Sequence, residues 1–526
     1  MIKRNIYIIG LSVLLLIGIT GCSQWLDLKP ESEIILDDFW QSQSDVESVL
    51  AACYRGLTED AVISRMIVWG ELRSDNMITG NGFPNARYDM QKILDGDLVP
   101  SNAYASWSSF YSVINDCNTL LLYAPKVVDR DNNFTLTDLH QVQAEAMTLR
   151  ALCYFYLVRT YKEVPLVEEA SINDIQNYSL PKSPEDTIIN HIIRDLLYAQ
   201  KYAKTDFGIT AYNKGKITLD AVNTILADVY LWNQQYEKCV ETANLVLADK
   251  NLKLEQAKYA YSHVFYFGNS TESIFELQFN EYVQKNNTVI SMYGSNANPI
   301  GEVSFPTTLA YDQVGTEVGA FSPFDYKVSS SVIESANDIR AKDSYALYGG
   351  KYFIFKYAGI NRSETLTGAS MYFYRSGTPN WIVYRLSDLM LMKAEALVEL
   401  DGEANMKDAL SLVNKTYLRS NEGQDSLSIK NYTTKFEMEK LVLRERQREL
   451  LFEGKRWFDL ERIARRENST STLNDYVEHK SSGNTVSLGA PVLDAMYMPI
   501  PTSELEANPN LKQNPYYEET SSSSNR

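Results

Sequence analysis

The helix period dominates this chain and constrains its fold more than any other feature. Val46, Val49, Leu50, Cys53 and Leu57 recur at i, i+3, i+4, i+7 and i+11 behind a Ser44/Glu47 capping box, and Trp107, Phe110, Tyr111, Ile114, Cys117 and Leu121 make a second stripe. The run QVQAEAMTLRALCYFYLVRTY is a third helix, ended before Pro165. A fourth opens with Ser183 as cap, Pro184 in the first turn and Asp186 three after the cap, then carries Ile188, Ile189, Ile192, Ile193, Leu196 and Leu197. The expected fold class is therefore predominantly α-helical.

Two later stretches have the pattern of tetratricopeptide helix pairs. TLDAVNTILADVYLWNQQYEKCVETANLVLAD turns at residues 233–235, and YRLSDLMLMKAEALVELDGEANMKDALSLVNKTYL turns at Asp401 and Gly402. Alanines at the facing positions (Ala221, Ala227, Ala243; Ala394, Ala396, Ala409) let paired helices approach closely, and stacked pairs share a continuous core. The pairs do not recur at a fixed 34-residue period, so an irregular stack is expected rather than a regular solenoid.

Residues 281–380 break the pattern. They lack helical periodicity, are rich in Gly, Ser, Asn and Pro, and contain Tyr282, Tyr293, Phe305, Tyr311, Phe321 and Tyr326. A stretch this long is a functional loop region or hides short elements. Short strands are expected at its flanks, where Phe275, Leu277 and Phe279 alternate with Glu276, Gln278 and Asn280, and where KYFIFKY stands. Residues 518–526 form a polar tail expected to be disordered.

At the other end, Lys3 and Arg4 precede an apolar run over residues 6–19, shorter than the ~20 residues needed to cross a bilayer and so an export signal. The Ile19, Thr20, Gly21, Cys22 ending resembles the lipobox of bacterial lipoproteins. It implies a signal peptide over residues 1–21 and a mature chain that starts at a lipid-bearing Cys22, held at the membrane by acyl chains rather than spanning it. Formal charge is −17, and loss of Lys3 and Arg4 leaves 48 basic residues against 67 acidic, a net −19. So acidic a chain is a poor partner for nucleic acid, whose affinity comes from basic residues on phosphates. Cys53, Cys117, Cys153 and Cys239 are far apart and set among apolar neighbours, which favours buried free thiols. The 35 tyrosines, 7 tryptophans and 19 phenylalanines are enough for a stacking surface as well as a core.

Catalytic motifs are scarce. His140, His191, His263 and His479 are scattered without zinc-ligand spacing, and neither a G-x-S-x-G elbow nor a phosphate loop occurs. GNGFPN, residues 80–85, reads as a surface turn. In RERQRELLFEGKRWFDLER, Glu445, Glu449 and Glu453 share one helix face with Arg444, Arg448 and Arg456 nearby; an ion network between helices is the simpler reading than a glycosidase pair, which faces across a bond ~5–9.5 Å apart. WGELRSDNM, residues 69–77, offers Arg73, Asp75 and Asn76, a planar donor, an acceptor and an amide suited to hydroxyl-rich ligands, although Asp and Asn also serve as helix caps.

Together these segments resemble the SusD/RagB family of outer-membrane nutrient-binding lipoproteins from Bacteroidetes. The resemblance runs from Cys22 to about Tyr517 through WLDLKP, AEAMTLRALCYFYLVRTYKEVPLV (with Lys162 where the family usually has glycine), YRLSDLMLMKAEALVEL, RERQRELLFEGKRWFDLER and MPIPTSELEANPNLKQNPYY, in that order. It implies one domain over residues 22–517. About four irregular tetratricopeptide-like pairs would form a scaffold at 40–260 and 381–470, with the ligand-binding insertion at 281–380. It also implies a SusC-like TonB-dependent transporter as partner, a position at the outer membrane facing outward, and no cofactor or catalysis. The expected ligand contacts are Arg73, Asp75 and Asn76 for hydroxyls, with Tyr88, Tyr104, Tyr282, Tyr293, Tyr311 and Tyr326 as stacking rings. Trp107 is assigned to packing. A glycan is the expected ligand; peptide uptake by the same machinery and a surface glycoside hydrolase are the alternatives.

Overall fold

A computed structural model describes residues 38–79, 88–173, 176–293, 303–304, 327–329, 332–333, 338–348, 351–354, 356–357, 378–477 and 489–518. The signal sequence, Cys22, the 80–85 turn, Tyr311, Tyr326, most of the central insertion and the C-terminal tail lie outside the described residues.

The scaffold is built from helix pairs. Helix α1 (Gln43–Leu57) buries Val46, Leu50, Cys53 and Leu57, the stripe visible in the sequence. Its cap is Ser42 with Asp45 rather than Ser44 with Glu47, because the helix begins two residues earlier and Asp45 is the acid placed to reach back to the cap. Helix α2 (Asp60–Ile67) continues into a π-helical turn, Val68–Leu72. The pairs are then α1 with α3 (Ser108–Val127), α4 (Leu136–Tyr161) with α5 (Glu185–Tyr202), α6 (Leu219–Trp232) with α7 (Tyr236–Leu247), and α8 (Leu386–Leu400) with α9 (Glu403–Ser420). Successive pairs touch through α3 and α4, α5 and α6, and α7 and α8. Helix α10 (Lys435–Leu450) closes the stack on α8, and α11 (Arg456–Glu467) follows it. For α5 the structure moves the cap to Pro184 and places Ser183 in a bridge with Val164, so Ser183 serves the backbone of the preceding turn instead.

Ala221, Ala227, Ala243, Ala394, Ala396 and Ala409 are all fully buried, as their place between helices requires. Helix α4 is buried on every side from Thr148 to Tyr161 and is the middle of the core. It stops at Lys162, whose φ of 66° lies where glycine is normally favoured. Asp401 (φ 57°) and Gly402 (φ 90°) make the turn between α8 and α9. Cys53, Cys117, Cys153 and Cys239 are free and buried.

β1 (Ser273–Leu277) pairs antiparallel with β2 (Trp381–Arg385), which brackets the insertion, but every residue of both strands is buried. Glu276, which alternates with Phe275 and Leu277, is fully enclosed and accepts hydrogen bonds from Asn380 Nδ2 (2.8 Å), the Asn269 amide (3.0 Å) and Ser273 Oγ. A strand covered on both faces does not have to alternate. Within the insertion, Asn287–Tyr293 and Ile339–Ser344 are short helices, and Tyr345–Tyr348 pairs with Lys351–Ile354 in a hairpin.

Candidate functional site

The 69–77 segment, expected to face a ligand, is built into the interior. Glycine 70 lies so close to the turn after α10 that a Cβ there would sit 1.9 Å from the Gly454 carbonyl oxygen. This contact draws WGELRSDNM onto RERQRELLFEGKRW. Glu71 is fully buried and accepts from Asn76 Nδ2 (2.7 Å) and from the amides of Phe452 and Lys455 (both 3.1 Å); burial pushes its carboxyl up to about 7. Arg73 lies 4.0 Å over the Trp457 ring and donates to the carbonyls of Met496 and Ala495 (2.8 Å to the latter). Asp75 accepts from Arg456 Nε and Nη2, both at 2.8 Å, and from Gln447 Nε2 at 3.0 Å; Gln447 Nε2 also donates to Asn76 Oδ1 at 2.7 Å. Arg73, Asp75 and Asn76 are thus buried, and these bonds run to other parts of the chain. The hydroxyl-binding assignment is corrected on that ground: their local spacing is the same for a ligand triad and for a tether, and the C-terminal helices complete the tether. Glu461, next to them on α11, accepts from Trp457 Nε1 (2.8 Å), and burial, opposed by Arg73, pushes its carboxyl up to about 8.

Glu445 and Glu449 on α10 belong to the same buried fabric, as does Glu453, which lies in the turn beyond Leu450 rather than on the expected common helix face. Glu445 takes Arg340 Nη1 at 2.8 Å and Thr416 Oγ1 at 2.6 Å; Glu449 takes Arg385 Nη1 and Arg419 Nη2 at 2.5 Å each and Arg340 Nη1 at 2.8 Å; Glu453 takes Lys356 Nζ at 2.5 Å and Arg385 Nη2 at 2.7 Å. Burial disfavours the Glu449 charge, yet Arg419, Arg385 and Arg340 hold its carboxyl well below the usual range. The network ties α10 to α9, to β2 and to the insertion. Its carboxylates are taken up by cations, as an ion network between helices requires.

The expected stacking rings divide. Tyr282 is 95% exposed and Tyr88 67%, the latter with Lys92 Nζ 4.9 Å from its ring centre. Tyr104 is half-buried, and its carbonyl accepts from Trp69 Nε1 at 2.9 Å. Tyr293 is fully buried, its hydroxyl donating to the Phe452 carbonyl at 3.0 Å, so it is a core residue and not a surface ring. Trp107 packs edge-on against Tyr161, 5.0 Å between ring centres, as a core residue should.

The structure adds a ring ladder that the sequence reading missed. Ala257–Tyr261 runs into a π-helical turn, Ser262–Phe267, and Tyr259, His263 and Phe267 follow one another at i, i+4 and i+8 along it. Tyr259 and His263 are stacked face to face, 5.2 Å apart and 7° from parallel, and Phe267 lies 6.4 Å beyond. His263 Nδ1 is held by Glu255 Oε2 at 2.8 Å, and Phe267 is 61% exposed. The trace it leaves in the sequence is the density of rings in YAYSHVFYF, residues 259–267. Exposed planar rings in sequence offer area for the C–H face of a sugar or another flat ligand at low conformational cost. Among the described residues no group of three or more His, Cys, Asp or Glu is placed to hold a metal ion, and no helix is long and apolar enough to cross a membrane.

Comparison with known proteins covers both halves of the chain. Residues 271–517 match the SusD family, and residues 24–231 match the SusD-like family described as starch-binding and associating with the outer membrane. The SusD-like protein P38 of Formosa agariphila is 25% identical, with the alignment covering 98% of this chain and 99% of P38. Among solved structures, a SusD superfamily protein from Bacteroides vulgatus superposes with a TM-score of 0.69 at 21% identity, over 91% of this chain and 99% of that one. A laminarin-binding SusD-like protein superposes with a TM-score of 0.65 at 21% identity, over 91% and 100%. With family matches over residues 24–231 and 271–517 and a relative aligned end to end, the chain belongs to the SusD/RagB family.

Proposed function

We propose that this protein is a cell-surface lipoprotein that binds a glycan and hands it to a SusC-like TonB-dependent transporter in the outer membrane, without cutting it. The observation that carries this reading is the family match along both halves of the chain, one half of it to a family described as starch-binding and outer-membrane-associated. Laminarin binding by one structural relative supports a glycan as the ligand class. Exposed rings at Tyr88, Tyr282, Tyr259 and Phe267 give such a ligand surfaces to stack on, and Tyr104, Tyr311 and Tyr326 are proposed as further stacking rings. Cys22 is the proposed tether, and the outward orientation follows from the role. The test uses the soluble chain from Ser23 in native gels cast with neutral polysaccharides, alongside an assay for new reducing ends. Retarded migration without product release is expected. Release of reducing ends would make it a hydrolase, and unretarded migration in every gel would remove the glycan reading. Purification of the tagged, lipidated protein from membranes is expected to bring down a β-barrel transporter.

A further inference from the structure

A polar cavity of about 650 Å³ lies on the scaffold, between the segment joining α5 to α6, the first turn of α6, the residues after α7 and the approach to β1. Its size is that of an ordinary small-molecule pocket. Its lining is not ordinary. Asp206, Asn213, Lys214, Asp220, Asp249 and Asn251 supply carboxylates, amides and an ammonium, hydroxyls from Thr205, Thr210, Ser270 and Thr271 stand between them, and a patch of Leu219, Leu245, Leu252 and Ile274 completes the wall.

We propose that this cavity is a saccharide subsite, which takes one or two neutral sugar units with their hydroxyls on the Asp and Asn side chains and a C–H face on the leucine patch. The choice of a sugar among polar ligands rests on the glycan-binding reading. The chemistry of the wall narrows the class independently. An apolar ligand would take water from the carboxylate and amide lone pairs that the wall's own hydrogen bonds leave open, and would offer nothing in return. An anionic ligand would meet three aspartates against a single lysine. A sugar hydroxyl both donates and accepts, so it satisfies carboxylate and amide alike.

Parts of the wall are already set. Asn213 is fixed by its donation to Asp206 Oδ1 at 2.6 Å and by the Phe207 amide at 2.6 Å, and Lys214 is anchored on the Ser273 carbonyl at 2.6 Å. Asp249 Oδ1 accepts from the Asn251 amide at 2.9 Å. Asp220 and Asp249 stand close enough to share a hydrogen bond, and burial together with the Asp249 charge pushes the Asp220 carboxyl up to about 7; the shared proton lies between the two acids, so their remaining lone pairs present acceptors to the cavity.

The test is saturation-transfer NMR on the soluble chain from Ser23 with millimolar glucose, galactose, mannose and xylose, and with glucuronate as the anionic counterpart. Asn251 lines the cavity and is exposed, so Asn251→Trp fills it without touching the core; Leu245→Trp, at a second exposed lining residue, fills it independently. At least one neutral sugar is expected to give a signal that falls fivefold or more in both variants, with glucuronate giving none. Silence from all four neutral sugars, a signal that survives both variants, or an equal response to glucuronate would overturn the proposal. A variant-sensitive sugar signal with no retardation in polysaccharide gels would sink the uptake role but not the cavity; retardation without such a signal would sink the cavity alone.

Discussion

Replacing Asp75 by alanine separates a scaffold role from a ligand role for the 69–77 segment. In the structure the Asp75 carboxylate closes a two-bond fork with Arg456, both bonds at 2.8 Å, inside a region where Asp75 is 7% and Arg456 2% exposed. Its removal leaves the Arg456 guanidinium with the weaker 3.3 Å bond from Nη1 to the Leu443 carbonyl, while Gln447 keeps Asn76 as an acceptor. Breaking one side of such a buried pair costs about 3–5 kcal/mol, because the remaining charge stays out of water. Asp75→Ala is therefore expected to lower unfolding stability by about that amount in urea. Asp75→Leu combined with Arg456→Met is expected to recover much of the loss, with a coupling of about 2–3 kcal/mol in the double-mutant cycle. Equilibrium unfolding gives the stability, and polysaccharide gel retardation of the folded variant gives the function. A variant as stable as wild type that no longer binds glycan would refute the buried-tether reasoning and return Asp75 to the binding site.

Glu461 makes a pH prediction. Burial raises its carboxyl from 4.5 to about 8, so as pH rises through that window the unfolded chain releases a proton that the folded one keeps, and stability falls. Glu461→Gln is expected to gain on the wild type by on the order of 4 kcal/mol between pH 4.5 and 8, read from unfolding at both ends; a pH-independent difference would contradict it. Phe267→Ala and Tyr282→Ala are each expected to weaken glycan binding by about 0.5–1.5 kcal/mol with unchanged unfolding, measured by titration calorimetry. Cys22→Ala is expected to lose lipid and leave the membrane fraction, and normal partitioning of that variant into the detergent phase would refute the anchor.

Local features of this fold were legible because their causes are local. The stripe of α1, the turns at residues 233–235 and at Asp401 and Gly402, and the buried alanines follow from a period of 3.6 and from the space between two helices. Glu445, Glu449 and Glu453 could be assigned to an ion network because acids at i, i+4 and i+8 need cations, although the helix ends at Leu450 and Glu453 belongs to the turn after it. Which cations was not legible: Arg340 and Lys356 come from the insertion and Arg385 from β2. The same limit misplaced Arg73, Asp75 and Asn76, since Arg456 lies 381 positions from Asp75. Alternation along β1 gives no sign that both of its faces are covered, and Tyr293 was assigned to the surface because a tyrosine within a polar stretch gives no sign of the Phe452 carbonyl that takes its hydroxyl. The Tyr259, His263 and Phe267 ladder crosses from an α-turn into a π-turn, where spacing alone does not say which rings share a face.

Titration of the soluble chain from Ser23 against a glycan array, with a peptide library on the same surface, tests the central claim most directly. The account predicts saturable binding to one glycan class that peptides do not compete away; silence across the glycans with binding to peptides would contradict it.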